Sequence, residues 1–456
     1  MKNSYRSRDS IRLGVAGLVL LAGLGLAGCD SGSGSEGCSP NPCLNGGICI
    51  PQGGEISCVC IPGFSGAACD ELTGYLPIVD TGQSLCYDES NMINCPVAGQ
   101  TFFGQDAQYT SVLPAYRDNG DGTVTDLNTG LMWQQDPGEK LTNDEAVAGA
   151  AHFDLAGYDD WRLPTIKELY SLILFSGIDP SGYEGTDTSG MVPFIDTDYF
   201  VFEYGDPTAG ERIIDAQFTT STRYVSTTMN GDETVFGVNF ADGRIKGYGT
   251  GPMPGQTTDK TFFVLYVRRD NDPGETIFTD NGDGTVTDQT TGLLWQQDDS
   301  DLGLNWEGAL AYCESLDLAN HSDWKLPNAK ELQSIIDYSR SPDTTGSAAI
   351  DPVFSSSSIT NEAGNADFPN YWTGTTHANR NNGHEGESAV YVSFGRALGY
   401  MNNQWIDVHG AGAQRSDPKE GDPADWPMGR GPQGDAIRIF NYVRCVRNNS
   451  SSLRFR

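Results

Sequence analysis

Asp118-Asn119-Gly120-Asp121-Gly122-Thr123-Val124-Thr125-Asp126 returns, letter for letter, as Asp280-Asn281-Gly282-Asp283-Gly284-Thr285-Val286-Thr287-Asp288. Around it the echo continues. Thr129-Gly130-Leu131-Met132-Trp133-Gln134-Gln135 matches Thr291-Gly292-Leu293-Leu294-Trp295-Gln296-Gln297. Asp160-Trp161-Arg162-Leu163-Pro164 matches Asp323-Trp324-Lys325-Leu326-Pro327, and Lys167-Glu168-Leu169 matches Lys330-Glu331-Leu332. The order is kept, and the offset moves only from 162 (118 to 280) to 163 (160 to 323). Chance does not produce this; the chain carries a tandem duplication, 100–270 and 271–448.

Each copy reads as α+β. Asn-Gly-Asp-Gly before Thr-Val-Thr is a turn followed by β-branched residues, a hairpin signal. Asn128-Thr129-Gly130 is a second turn, before a strand ending at Trp133. Trp306, Ala309, Leu310, Cys313 and Leu316 share one helical face. Pro327 suits the first turn of a second helix, with Leu332, Ile335 and Ile336 inward. Strands follow at Tyr371-Trp372-Thr373, Ala389–Phe394 and Phe440–Val446, so two helices pack on small antiparallel sheets.

Outward from the repeats, the N-terminus reads as an export signal. Lys2, Arg6, Arg8 and Arg12 precede an apolar run, Leu13 to Leu26, too short to span a bilayer. Leu26-Ala27-Gly28-Cys29 then resembles the bacterial lipobox. The resemblance implies a leader over 1–28, lipidation of Cys29 and a membrane anchor, with the Gly/Ser stretch 29–36 as a tether. An outer membrane or cell-surface address is expected over the inner membrane. Losing that leader takes the formal charge from -33 to -36. So acidic a chain is poorly suited to nucleic acid, which needs Lys and Arg against its phosphates. Apolar content of 38% with 10% aromatics is enough for folded cores, and 56 Gly with 20% charged residues suits turn-rich structure.

Six of the 11 Cys fall in C-x4-C-x5-C-x8-C-x-C-x8-C, at Cys38, Cys43, Cys49, Cys58, Cys60 and Cys69. Such density in an exported segment is a disulfide framework, with fifteen possible pairings. With Pro42-Cys43-Leu44-Asn45-Gly46-Gly47 and Gly63-Phe64-Ser65-Gly66, the spacing resembles an EGF-like domain over 37–71. The resemblance implies pairs 38–49, 43–58 and 60–69. Ser35-Glu36-Gly37 and Ile50-Pro51-Gln52 depart from that family's calcium pattern, so a module without calcium is expected.

Cys313 and Cys445 align with Ala150 and Arg269 of the first copy; both Cys are missing there together, which predicts one 313–445 bond. Cys86 and Cys95 remain and are expected to close a small loop in a disulfide hairpin linker, 75–99. The chain-entropy model gives about 5 kcal/mol for the first as an upper value and ~2.7 for the second.

The repeated NGDGTVTD, TGLxW, DWRLP-x-x-x-EL and YVRCVR elements resemble the Lcl C-terminal domain family, named for a bacterial collagen-like adhesin. That family is similar to the C-type-lectin-like fold, where a helix is tied by disulfide to the last strand. The expected architecture is therefore α+β: two tandem C-type-lectin-like domains after a small disulfide-rich EGF-like module. The Arg162-Leu163-Pro164 segment also resembles the formylglycine-generating enzymes, which work through Cys pairs; Cys313 and Cys445 are assigned to structure here.

Sites are then weighed. An EF-hand-like loop needs oxygens at positions 1, 3 and 5, where Gly120 and Gly282 fall third, so Asn-Gly-Asp-Gly reads first as a turn. Trp133, Trp161, Trp295 and Trp324 sit beside apolar neighbours in both copies and read as core. The stretch Asn402 to Asp435 reads as a long polar loop, where function concentrates. Its His409, Arg415, Lys419, Trp426 and Arg430 form the candidate ligand surface. His152, His321, His377, His384 and His409 show no metal-ligand spacing, no G-x-S-x-G elbow occurs, and no cofactor or metal is expected. The E-P-N and W-N-D segments of calcium-dependent lectins are missing too. A non-catalytic envelope protein for adhesion is expected. The collagen-like adhesin's domain is associated with sulfated glycans; this charge points to a neutral glycan or a protein instead. The rival reading is a structural envelope protein that self-associates.

Overall fold

The structure, a computed structural model, describes residues 38–448 except 39–41, 45–46, 53–54, 61–63, 70, 73–77, 110, 230, 253–256, 270–275 and 382. Cys29, the leader and the tether lie outside the described residues. In the cysteine-rich module, Ile48–Gln52 pairs antiparallel with Glu55–Val59. Its bonds are 38–49, 43–58 and 60–69, the pairing that the EGF resemblance implies.

In each repeat the Asn-Gly-Asp-Gly run opens a four-stranded sheet. The strands are Tyr116–Asp118, Thr123–Asp126, Met132–Gln134 and Val267–Arg268 in the first, and Phe278–Asp280, Thr285–Asp288, Leu293–Gln296 and Val446–Asn448 in the second. Asp118 Oδ1 accepts Gly120 N at 2.8 Å and Asp121 Oδ1 accepts Thr123 N at 3.1 Å; Asp280 and Asp283 repeat both bonds. Gly120 and Gly122 stand at φ +75° and +87°, left-handed conformations that glycine adopts without a Cβ clash. These carboxylates close their own turns, the use expected of them in a hairpin. Trp133 and Trp295 are fully buried on the strands that follow, and Trp161 and Trp324 are core as well.

Four short helices follow: α1 (Asn143–Ala150) and α2 (Ile166–Ser171) in the first repeat, α3 (Trp306–Glu314) and α4 (Ala329–Ser334) in the second. Capping boxes start α2 and α4, Thr165 with Glu168 and Asn328 with Glu331. Pro327 thus lies one residue ahead of the cap rather than in the first turn, because Asn328 supplies the cap oxygen. The DW(R/K)LP motif works as a bracket. Arg268 grips Asp160 at 2.6 and 3.1 Å, and Arg447 grips Asp323 at 2.7 and 2.9 Å, tying the last strand to the loop before α2 or α4. Arg162 and Lys325 bind the capping glutamates Glu168 and Glu331.

The larger sheet joins the repeats. Its strands are β1 (Gln217–Arg223), β2 (Thr234–Asn239), β3 (Arg244–Gly249), β4 (Asn370–Thr376), β5 (Ser388–Ser393) and β6 (Gln414–Pro418), in the order β1-β2-β3-β6-β5-β4. The equivalent strands β3 and β6 meet antiparallel at Ile245 and Gln414, so the halves are related by an internal pseudo-two-fold. The contacts across it are reciprocal. Lys167 Nζ donates to Ser334 O at the end of α4 (2.7 Å), and Lys330 Nζ donates to Ser171 O at the end of α2 (2.8 Å). Leu169, Tyr170, Phe236 and Val238 share one core with Leu332, Ile335, Tyr371 and Val392. The α+β class holds, but the repeats are halves of one body.

Two details differ from the sequence reading. Segment 78–109, expected in part as a linker hairpin, packs on the second half. It carries the 86–95 bond, and Gln83 exchanges hydrogen bonds with Thr376 at 2.7 and 2.8 Å. Asp106 there accepts from Thr81 and Thr375, and burial pushes its carboxyl up to about 6 against those bonds. Second, the 313–445 bond forms, but Cys445 lies just before the final strand, since only Val446–Asn448 pairs. Trp295 opposite Val446 and Trp133 opposite Val267 put Tyr266, not Arg269, in the place of Cys445. Tyr266 fills the missing disulfide's position: its hydroxyl donates to Ala146 O on α1 at 2.8 Å. A Cβ on Gly149 would come within 2.7 Å of that hydroxyl, so the helix is glycine there. Arg269 instead binds the Thr129 carbonyl.

Candidate functional site

The stretch 402–435, expected as a structureless loop, holds β6 and the second strand of a hairpin, Leu398–Met401 with Gln404–Asp407. Most of its basic residues are inside. His409 is 2% exposed and Lys419 1%. Lys419 Nζ sits 3.9 Å over the Trp306 ring and donates to Asp88 O at 2.8 Å, with burial pulling its ammonium well down. Arg415 and His409 both bind Asp435. A carboxylate only accepts, so His409 carries its proton on Nε2 (2.9 Å). Burial and then Arg415 push that imidazole down to about 4, against Asp435. Arg430 is exposed, 3.3 Å from Glu387. Of the five expected ligand residues, only Trp426 reaches the site described next.

The buried polar groups belong to the seam. Arg244 on β3 reaches Asp179 (2.8 Å) and Asp242 (3.4 Å), Lys246 reaches Asp242 (2.6 Å), and His377 Nε2 donates to Asp242 O (2.8 Å). Desolvation alone would raise Asp179; Arg244 and His377 hold it down at about 2. Burial and then Arg244 lower His377 to about 4. With His409, Arg415 and Asp435 this gathers three carboxylates around two arginines and Lys246, whose ammonium burial pulls down to about 8.

The open site lies in the second half. A cleft of about 480 Å³ is lined by Trp405, Trp426, Phe440 and Tyr442, with Glu362, Arg438, Asn370 and Asn441 among them. Part of its wall comes from a hairpin the first half lacks. The first half turns tightly from Asn239 into Arg244, whereas the second inserts the hairpin 398–407 between β5 and β6. Asn402 and Asn403, at φ +52° and +61°, form that hairpin's two-residue turn, which Asn tolerates. It carries Trp405, packed edge-on to Tyr400 at 5.3 Å.

The opposite wall is strained and braced. Ile439 stands at φ +60°, and Phe440 N donates back to Arg438 O at 2.5 Å, a tight γ-type turn that a β-branched residue adopts only when held there. Asp417 holds it, its Oδ2 accepting Arg438 N (3.0 Å), Ile439 N (3.3 Å) and Asn441 Nδ2 (3.2 Å). Burial raises Asp417 to about 6 despite those bonds. The turn buries Ile439 and leaves Phe440 50% exposed at the cleft. Arg438 makes a two-pronged pair with Glu362 (2.8 and 3.0 Å) and donates to Asn370 Oδ1 (3.2 Å). Burial opposes both charges, yet each partner holds the other ionised. Asn441 is 1% exposed and its Oδ1 has no hydrogen-bond partner among the described residues. Trp405, Phe440, Glu362 and Arg438 escaped the sequence reading. An aromatic beside an Asn-Asn turn, in a stretch missing from the first copy, is the signal that points to Trp405.

Among the described residues no three His, Cys, Asp or Glu side chains group as metal ligands, and no helix is long and apolar enough to cross a membrane. The family model for the Lcl C-terminal domain matches residues 122–268 and 284–409, and that for the EGF-like domain residues 38–68. Short similarities also occur to curated proteins. They include Fibropellin-3 of Strongylocentrotus purpuratus (47% identical over 38 residues, 8% of this chain and 7% of that protein). Others are Protein eyes shut homolog of Danio rerio (41% over 46 residues, 10% and 2%) and Versican core protein of Homo sapiens (49% over 37 residues, 8% and 1%). The chain thus spans less than a tenth of these relatives' length. No solved structure matches it.

Proposed function

Because the chain belongs to the Lcl C-terminal domain family and carries an EGF-like module, an extracellular binding or adhesion combination, we propose that it is a non-catalytic lipoprotein of the bacterial envelope. In this reading Cys29 bears the lipid, and the second half engages an extracellular glycan or protein through the Trp405–Trp426 cleft. The single observation behind it is that cleft: four aromatic residues at an open surface, one of them, Trp405, on a hairpin the first repeat lacks. Ligand pockets typically measure about 300–1,000 Å³ and combine apolar walls with a few fixed polar groups. The C-type-lectin-like architecture belongs to this proposal too, supported by the α3-to-final-strand disulfide.

Two observations favour passive binding. Every Cys among the described residues is in a disulfide, which leaves no thiol nucleophile there. The strongly shifted histidines His377 and His409 are locked in the seam rather than open to a substrate. Self-association is the weaker alternative, since the surface that would pair two repeats is already used within one chain. Cells producing the protein should adhere to immobilised matrix proteins and glycans better than cells lacking it, and added protease should shave its folded region. Equal adhesion by both strains, with the chain protected from protease, overturns the reading.

A further inference from the structure

We infer that the Trp405–Trp426 cleft takes an uncharged sugar, a pyranose segment of a neutral glycan; this rests on the binding function proposed above. Three observations lead there. The first is shape and surface. Trp405, Trp426, Phe440 and Tyr442 offer flat apolar faces in one cleft, and the C–H face of a pyranose is flat and apolar while its rim is polar.

The second is charge. The charged residues lining the cleft are Glu362 and Arg438, and they neutralise each other in a two-pronged pair at 2.8 and 3.0 Å. A sulfated or carboxylated chain finds no spare cation there, on a protein whose net charge is already -33. The third is hydrogen bonding. Glu362 offers acceptor oxygens and Arg438 offers N–H donors at the cleft wall. A sugar hydroxyl both donates and accepts, so vicinal hydroxyls can serve both. A proline-rich peptide also likes aromatic grooves, but its proline positions have no N–H to give Glu362.

The test titrates the purified full-length protein with linear oligosaccharides of glucose, galactose, mannose and N-acetylglucosamine. Heparin and poly-L-proline serve as charged and peptide probes. At least one neutral oligosaccharide should bind and change the tryptophan fluorescence. Trp426→Ala and Trp405→Ala should each weaken it at least tenfold, and Glu362→Gln severalfold, with unchanged circular dichroism. The inference is overturned if no neutral sugar binds, if binding survives both tryptophan variants, or if heparin or poly-L-proline is the probe that Trp426→Ala releases. Adhesion that persists while the sugar panel stays empty removes this ligand class and leaves the binding function standing. Sugar binding in solution without adhesion does the reverse.

Discussion

Lys167 and Lys330 show how one residue type in a repeated motif joins the two copies. Lys330 is buried and Lys167 half-buried, and each gives its protons to carbonyls where the opposite half's helix ends, Lys330 also to Asp80 O at 3.0 Å. Burial pulls Lys330 down to about 7, against Asp126, Asp80 and Asp106. Lys330→Met keeps the stem and strands those acceptors, at about 1–3 kcal/mol. Lys330→Ala adds a cavity and should cost about 2–5 kcal/mol. Urea denaturation checks both; a Lys330→Met midpoint equal to the wild type would show that the amine bonds contribute nothing. Asp407 is a second seam residue, accepting Gly410 N (2.8 Å) and the Tyr224 hydroxyl (2.9 Å). Burial raises its carboxyl to about 7, with those bonds opposing. The folded state therefore holds a proton there that the unfolded chain releases near 4, and stability from this group falls as pH rises from about 4 to 7. An amide at this position cannot ionise, so the Asp407→Asn protein should gain on the wild type between pH 5 and 8. The gain is on the order of 2 kcal/mol, read from urea midpoints at both pH values; a flat difference would exonerate this carboxyl.

Among the elements, α1 and α3 are equivalent helices fastened in two ways. Cys313 bonds Cys445 across 132 positions of chain, whereas Tyr266 fills the same place with a ring and one hydrogen bond. Replacing both cysteines by Ala should lower stability by up to about 5 kcal/mol, and Tyr266→Phe by only about 1 kcal/mol. Thermal melts of the three proteins decide it, and a Tyr266→Phe loss as large as the cysteine loss would contradict the assignment. The disulfide was legible because two cysteines vanish together from the first copy. Its counterpart was misplaced by three positions because Tyr-Val-Arg-Arg (266–269) matches Tyr-Val-Arg-Cys (442–445) in sequence, and only the pairing opposite Trp133 and Trp295 sets the register. The hairpin turns and buried tryptophans were legible for a local reason, since their signals lie within a few residues. The stretch 402–435 was misread because Arg415, His409 and Asp435 satisfy one another inside. Polar residues paired in a core look like solvated loop when only their order is known.

Over the whole molecule, the repeats were plain in the sequence but their union was not, because no pattern within a strand tells which edge it will seek. The β3–β6 junction and the shared core make the two halves one cooperative unit. Heating the full chain should therefore give one transition for residues 78–448, and either repeat produced alone should stay unfolded. Two resolved transitions assigned to the separate repeats would refute this. Among the described residues the aromatic cleft, moreover, lies in the second half, where the hairpin that carries Trp405 has no counterpart in the first. A protein with one socket gains nothing from having two similar halves when it grips a polymer. If the chain is lipid-anchored and binds a glycan as proposed, firm attachment must come from many copies meeting one ligand strand, where each new contact forms at high local concentration. Grip should then climb steeply with the number of chains per area of membrane, and hardly at all with the affinity of any one.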